Sequence, residues 1–303
     1  MKRRIRAMAL LAALTLLCGC GKKEAQPQQE DMAVNIVPVE GVTALELCDG
    51  EVTLRFARTD DTWHWVDDGT FPLDQDAVAA LLALPSSLAA AEPVQGQGEL
   101  SGYGLETPKK YVTATADGAD STIYVGSQTS DGRWYVLTPD GVVRLAAQAD
   151  GEALSRSIYD MAVLPELPAI TEENLISLTL TGAEGKQVTF SVDESGVRRS
   201  GARDVTEKTA SLVDELGKLA VTACVDYDPA DGAAEVCGLD APAAVLAVNY
   251  VNAHGGDGAL TLTVGGSTGD GGRYVTLNGD ATIYRMEETG LAQVLTLAAL
   301  GLS

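Results

Sequence analysis

Val125-Gly126-Ser127-Gln128-Thr129-Ser130-Asp131-Gly132-Arg133-Trp134-Tyr135-Val136 recurs without a gap as Val264-Gly265-Gly266-Ser267-Thr268-Gly269-Asp270-Gly271-Gly272-Arg273-Tyr274-Val275. Seven of the twelve positions are identical, far more than chance allows. A second pair of segments lies upstream in the same order, Tyr103-Gly104-Leu105-Glu106-Thr107-Pro108 and Cys237-Gly238-Leu239-Asp240-Ala241-Pro242. The chain therefore reads as an internal duplication. The offset between copies grows from 134 to 139 downstream of the second pair, which places an insertion at Asn252–Gly258.

Each copy opens with alternating apolar and polar residues broken by turn residues, the pattern of antiparallel hairpins. In the first these are Val42–Leu47, a Cys48-Asp49-Gly50 turn, Val52–Phe56 and Trp63–Val66; in the second, Leu175–Thr181, Gln187–Val192 and a weaker segment near Val197. A helix is expected next. Asp74 is placed to cap one, with Val78, Leu81, Leu82 and Leu88 at helical spacing and Pro85 set to kink it. Asp204 and Glu207 stand at capping-box spacing before Leu212, Val213, Leu216 and Leu219. After the Gly-Leu-acid-x-Pro segment come four more strand-like runs per copy and a short closing helix, near Glu152–Tyr159 and Glu288–Leu297. The expected fold is α+β: two homologous repeats, each an antiparallel hairpin-rich sheet with one main helix and a short closing helix. Repeat 1 is expected at 41–163, a Pro-containing linker at 164–168 and repeat 2 at 169–303.

Ahead of the repeats, Lys2, Arg3, Arg4 and Arg6 precede an apolar run, Ala7–Leu17, of signal-peptide length and too short to span a bilayer. It ends in Leu17-Cys18-Gly19-Cys20, which resembles a bacterial lipobox. That resemblance implies a signal peptide at 1–19, cleavage before Cys20 and acylation of its thiol, the attached chains holding the protein to the membrane on its extracytoplasmic face. Residues 20–40 read as a flexible polar tether. The formal charge is −22, and removing the four signal-peptide cations takes it to −26. Phosphates repel such a body, which excludes nucleic acid as a partner and leaves the lipid to hold it to the membrane.

Chemistry-bearing constellations are sparse. His64 lies between Trp63 and Trp65, and His254 in the Gly-rich insertion, neither at metal-ligand spacing nor beside a nucleophile. Asp226–Gly232 imitates a calcium loop but puts Gly at the seventh position and Cys237 where a bidentate Glu is required. No Lys and no helix follow the Gly265-Gly266 segment, as a phosphate loop requires. No metal or cofactor is expected. Cys224 and Cys237 are spaced so that either a disulfide or two buried free thiols satisfies the sequence. On the duplicated hairpin, alternation sends Trp134 and Tyr135 to opposite faces. Either Tyr135 and Tyr274 fill the core, or Trp134 joins Trp63 or Trp65 in an exposed partner-binding patch confined to the first repeat.

Leu73–Val78, Tyr103–Pro108, Tyr124-Val125-Gly126 and Arg133–Val136 resemble the bacterial lipoprotein family known as domain of unknown function 4340, across nearly the whole mature chain. The resemblance implies no assigned activity. It implies an association with ABC-type transporters, beside which members are often encoded. The expected role is a non-enzymatic binding or scaffolding accessory of an envelope complex, with an envelope protein or an ABC-transporter protein as the partner. Two other expectations stand beside it: a solute-binding lipoprotein with a ligand cleft between the repeats, and an envelope hydrolase using acidic residues.

Overall fold

Alternation along the chain becomes two antiparallel sheets because each strand carries its apolar side chains on one face only. In this computed structural model the described residues are Val37 and Glu40–Leu302; they belong to one compact unit, Ile36–Ser303. The first sheet is built from β1 (Val42–Asp49), β2 (Thr53–Thr59), β3 (Thr62–Trp65), β4 (Glu92–Pro93), β5 (Lys110–Ala116), β6 (Ala119–Gln128), β7 (Trp134–Leu137) and β8 (Val143–Ala146). Helices α1 (Gln75–Leu82) and α2 (Leu84–Ala89) lie between β3 and β4, and α3 (Gln148–Glu152) follows β8. The second sheet takes β9 (Leu175–Gly182), β10 (Gln187–Val192), β11 (Arg198–Ser200), β12 (Arg203–Asp204), β13 (Val221–Asp226), β14 (Ala244–Val251), β15 (Asp257–Ser267), β16 (Gly272–Leu277) and β17 (Ile283–Glu287). Its helices are α4 (Ala210–Leu216), α5 (Ala233–Val236) and α6 (Ala292–Leu300).

The two strand orders are the same. The first sheet runs β3-β2-β1-β5-β6-β7-β8-β4; the second runs β11-β10-β9-β14-β15-β16-β17-β13, with β12 added outside β11. Even the irregularities repeat. Pairing of β6 with β7 slips between Val125 and Gln128, and pairing of β15 with β16 slips between Val264 and Ser267, the equivalent positions. The α+β duplication expected from the sequence is the architecture observed.

Both copies explain why those glycines recur. Gly104 and Gly238 adopt φ of +69° and +67°, the left-handed region in which a side chain is strained. The turn they make lays the backbone across the bulge of the opposite hairpin. A Cβ on Gly126 would stand 2.2 Å from the Tyr103 carbonyl oxygen, and one on Gly265 would stand 2.4 Å from that of Cys237. The two conserved segments of each repeat thus pack directly on one another.

Each sheet buries one face. Leu45, Leu47, Phe56, Val112, Ile123, Val125 and Val136 meet Val78, Leu81, Leu84 and Leu88 of the kinked α1–α2 pair. Asp74 caps α1 by accepting from the Asp76 and Ala77 amides, a device worth about 1 kcal/mol. Pro85 sits in the first turn of α2, where its missing N–H costs nothing. In the second half Leu178, Leu180, Phe190, Leu246, Leu262 and Val275 meet Leu212, Val213 and Leu216 of α4 and Val294 of α6.

Two local expectations are corrected, and one strand is added. Asp204 and Glu207 form no capping box: Asp204 lies on β12 and accepts from the Thr206 amide, while α4 starts only at Ala210 with no side-chain cap. The closing helix of the first repeat is not continuous over Glu152–Tyr159 but breaks into α3 and two 3-10 turns, Ala153–Ser155 and Ile158–Met161. Val221–Asp226, to which the sequence pattern assigns no element, is the edge strand β13.

The two halves meet through β13. Cys224 sits on that strand of the second sheet yet belongs to the first half's core, with Tyr227 and Tyr284 packed beside it. Phe71 makes ring contacts with Trp65, Tyr159 and Tyr227 at centroid distances of 5.4, 6.3 and 5.3 Å. The Tyr159 hydroxyl donates to Asp226 at 3.1 Å, and the Tyr227 hydroxyl to the Thr70 carbonyl at 3.2 Å. Leu164 and Leu167 of the connecting segment pack on the first and second core respectively.

The bulge contact yields a direct test. Gly126→Ala and Gly265→Ala should each lower stability by about 1–3 kcal/mol, the usual cost of overpacking, whereas Gly69→Ala, with open space around it and no positive φ, should not. Chemical denaturation of the three variants against the parent measures this.

Candidate functional site

The sequence offered three tryptophans as surface anchors, and the structure sorts them by strand register. Phe56 opposes Trp65 and Arg58 opposes Trp63 on the β2–β3 hairpin. Trp63 faces inward and is 7% exposed. Trp134 shares a face with Val136, which is fully buried, so alternation turns its indole inward as well. The ring lies on Gly151, where an added Cβ would stand 2.2 Å from Cδ1. Lys110 Nζ sits 4.9 Å from its centroid in a cation–π contact. Tyr135 takes the opposite face and stacks on Tyr103 at 4.8 Å. Both versions of the hairpin expectation are thereby corrected: Tyr135 and Tyr274 are only half-buried, and Trp63, Trp65 and Trp134 make no joint exposed patch.

Trp65 is the one that borders open space. It lines a cleft of about 310 Å³ with Asp49, Val52, Thr53, Leu54, Asp67 and the segment Ser155–Ile158. Leu54 and Ile158 are buried floor residues, and Val52 is 59% exposed at the mouth. The hairpin turn positions one rim: Asp49 Oδ1 accepts from the Glu51 and Val52 amides at 2.8 Å each. The other rim is the break between the two 3-10 turns. There Ser157 Oγ accepts from the Tyr159 amide at 3.2 Å and leaves Arg156 pointing out of the fold in extended backbone. Trp65 Nε1–H is buried without a protein acceptor. Among the described residues the Arg156 guanidinium has no partner either.

A larger and more open groove, about 580 Å³, runs beside α4 along Ile170–Glu172, Val213 and Lys218. Its charged groups are spent on one another or on the fold: Lys218 pairs with Asp214 at 2.6 Å and Glu172 with the buried Arg198 at 3.2 Å. The smaller cleft retains uncommitted donors, and that makes it the candidate site. No sequence signal marked it, because its walls come from three separate segments.

The acids are mostly structural. Asp49 is held below the usual carboxylate range by the Val52 and Glu51 amides, Asp193 by the Ser195 hydroxyl and the Arg199 guanidinium, and Asp131 and Asp270 by the hydroxyls of Thr129 and Thr268. The remaining displaced carboxyls, Asp68, Asp140 and Asp204, are displaced in the same direction. Asp226, first in the calcium-like segment, accepts from the Tyr159 hydroxyl, while Gly232 ends the segment at the start of α5. Among the described residues, no group of three or more His, Cys, Asp or Glu is arranged to hold a metal ion. His64 is half-buried on β3, and His254 is exposed in the insertion. Cys224 and Cys237 are free buried thiols, not a bridge. Burial, with Asp226 adding to it, pushes the Cys224 thiol up to about 11 and raises Cys237, so both stay protonated and unreactive. Cys20, expected from the sequence to be lipidated, lies outside the described residues, as does most of the segment expected to be a tether. No helix among the described residues is long and apolar enough to cross a membrane.

Two outcomes follow. Trp134→Ala should lower the thermal midpoint by several degrees, because it empties the space over Gly151, a loss on the scale of about 3–5 kcal/mol for a packed Trp. A circular-dichroism melt checks it. Because the displaced carboxyls titrate below their unfolded value of 3.8, they stabilise the fold above that pH. Their contribution is lost as pH falls through the lower folded values, so the midpoint should be flat from about pH 7 to 5 and drop below about pH 4.

No curated protein and no solved structure matches the chain. A family model does, over two overlapping segments, residues 63–242 and 206–298, which together take in β3 through most of α6. With more than half of its length matched, the chain belongs to the family described as domain of unknown function (DUF4340).

Proposed function

We propose that this protein is a lipid-anchored accessory of a bacterial envelope complex, which binds and scaffolds on the extracytoplasmic face and performs no catalysis itself. The observation that carries the reading is the employment of its acids. A hydrolase working through carboxylates needs one whose ionisation is raised toward neutrality to act as general acid. Here every displaced carboxyl is lowered, and each is tied into a turn or an ion pair. The thiols are shifted away from nucleophilic character as well.

Two further observations support the reading. The Leu17-Cys18-Gly19-Cys20 pattern supplies the anchor, and two or more acyl chains give stable attachment where one does not. The seam between the repeats is filled by Phe71, Tyr159 and Tyr227 rather than open as a ligand cleft, which disfavours a delivery protein that closes its two lobes on a solute. Family membership points the partner toward an ABC-type transporter protein, through the association the resemblance implies.

Cys20→Ser tests the anchor and the partner together. The variant should lose labelling by a fatty-acid probe and leave the membrane fraction, and crosslinking in intact cells should then no longer capture the integral membrane protein that the parent captures. Persistent labelling would refute the anchor, and a parent that crosslinks to no envelope protein would refute the scaffold.

A further inference from the structure

The outward face of the second sheet carries no charge across its centre, and the scaffold role gives no reason for that. On β9, β10, β14 and β15 solvent-facing side chains alternate with buried ones. Strand register aligns three such positions on all four strands into three rows. The middle row is Thr189-Thr179-Ala247-Thr261; one flanking row runs from Gln187 to Thr263 and the other from Ser191 to Ala259. All are hydroxyl, amide or small apolar side chains, half-buried or exposed, in a chain of which 21% is charged. Charge returns at the border, with Asp257 at the β14–β15 turn and Arg285 on β17. The framework does not demand this. By the hairpin registers, Glu46, Arg55 and Asp120 of the first repeat stand at the positions of Thr179, Thr189 and Ala259.

The missing charge points to the partner. Acids outnumber bases 43 to 21, so a basic partner is drawn to the acidic parts of the surface, and an anionic one is repelled. A second copy of the chain brings the same excess of acid with it, and two copies meet best where neither carries charge. The chemistry is also self-complementary. A hydroxyl both donates and accepts, so an array of Thr and Ser can pair with its own image, as an array of carboxylates cannot. A glycan offers hydroxyls too, but the three rows hold no aromatic ring for a sugar to stack on.

Thr276 of β16 extends one flanking row to a fifth strand, which leaves Ala247 at the middle of the face. Its methyl group lets two sheets approach to about 10 Å. Four strands about 4.8 Å apart and three rows about 6.8 Å apart cover roughly 400 Å². Ile176 and Val251, 38% and 39% exposed, add apolar area at one end. Against a standard of about 800 Å² per partner, such a face supports a weak pair.

We propose that two copies of the chain pair face to face through the outer side of the second sheet, about a two-fold axis passing near Ala247. In such a contact Ala247 lies against its own symmetry mate. The expected dissociation constant is about 10–100 µM. The pairing requires neither the lipid anchor nor the scaffold role.

Sedimentation velocity on the chain from Gly21 onward, which keeps the whole compact unit Ile36–Ser303, tests it between about 5 and 500 µM. The parent should pass from monomer to dimer over that range. Ala247→Glu and Ala247→Arg each set like charges against one another and should weaken pairing at least about tenfold. The position is exposed, so neither should move the thermal midpoint. Mixed in equal amounts, the two variants should pair again. Thr113→Glu, at the equivalent place on the first sheet, should dimerise like the parent. A photocrosslinking residue at position 247 in intact cells should yield an adduct of twice the chain's mass. The proposal is overturned if the parent stays monomeric at about 500 µM, if both charged variants dimerise as the parent does, or if their mixture stays monomeric. It is equally overturned if Thr113→Glu weakens pairing as much as Ala247→Glu, or if the crosslinker joins the chain to a different protein or to a glycan. The labelling and membrane capture tested with Cys20→Ser stand or fall separately.

Discussion

The carbonyl of Tyr103 occupies the place where a side chain on Gly126 would begin, and the carbonyl of Cys237 does the same at Gly265. From this close approach of backbone to backbone much of the fold follows. It requires glycine at the bulge, because any Cβ collides. It also requires the Gly104 and Gly238 turns at positive φ, because only that conformation brings the carbonyl across the hairpin. The bulge in turn adds one extra residue to β6 and one to β15, an insertion of the kind that bends a strand and increases its twist. Sequence identity between the repeats is concentrated at these positions for a geometric reason: apolar residues elsewhere can be exchanged for others of similar volume, but this contact admits one residue type.

The second constraint is how two such sheets became one body. β13 is hydrogen-bonded to β17 in the second sheet, while its Cys224 side chain is packed in the first half's core. An edge strand is a hazard when left open, and here the neighbouring repeat covers it. The polar ends of the seam are satisfied across it by Tyr159 to Asp226 and Tyr227 to Thr70. Hydroxyls paired in this way at the margin of the seam help to fix the relative register of the halves. The raised Cys224 thiol has the same origin, since the apolar seam that buries it disfavours its charged form.

Most of the architecture was legible because it rests on local periodicity. Val42–Leu47, Val52–Phe56 and their counterparts alternate visibly, Asp74 announces its helix, and Pro85 announces the kink. The misses share a different cause, which is tertiary. Val221–Asp226 does not alternate cleanly because parts of both its faces are covered, one by its own sheet's core and one by the other repeat. Asp204 satisfied a capping pattern in sequence, but the β11–β12 hairpin claimed it first. For Trp134 and Tyr135 the alternation rule correctly separated the two rings. It left the choice of inward face to what covers Trp134, and that is Gly151 of α3, more than ten residues away. The cleft was illegible for the same reason, since Trp65, Asp49 and Arg156 converge only after the hairpin and the 3-10 turns have formed.

Divergence between the copies separates what the framework needs from what it leaves free. Matching Leu45 opposite Phe56 with Leu178 opposite Phe190 puts Arg198 at the position of Trp63 and Ser200 at that of Trp65, and the duplicated hairpin puts Arg273 at that of Trp134. Every tryptophan of the first repeat is thus absent from the second. Two of the three are replaced by a guanidinium, also flat and able to stack, but charged. That charge must be matched, and it is: Arg198 pairs with Glu172 and donates to the Thr206 carbonyl at 2.6 Å, and Arg273 pairs with Glu288 at 2.8 Å. An indole at the same place needs no counter-charge, so the acids around the first repeat's hairpin are not consumed by the core. Asp49 and Asp67 remain at the rim of the cleft, while the second repeat uses Glu172 and Glu288 to hold its arginines in place. The same backbone has therefore been used once to hold arginines in the sheet with ion pairs and once to carry an aromatic wall that needs none.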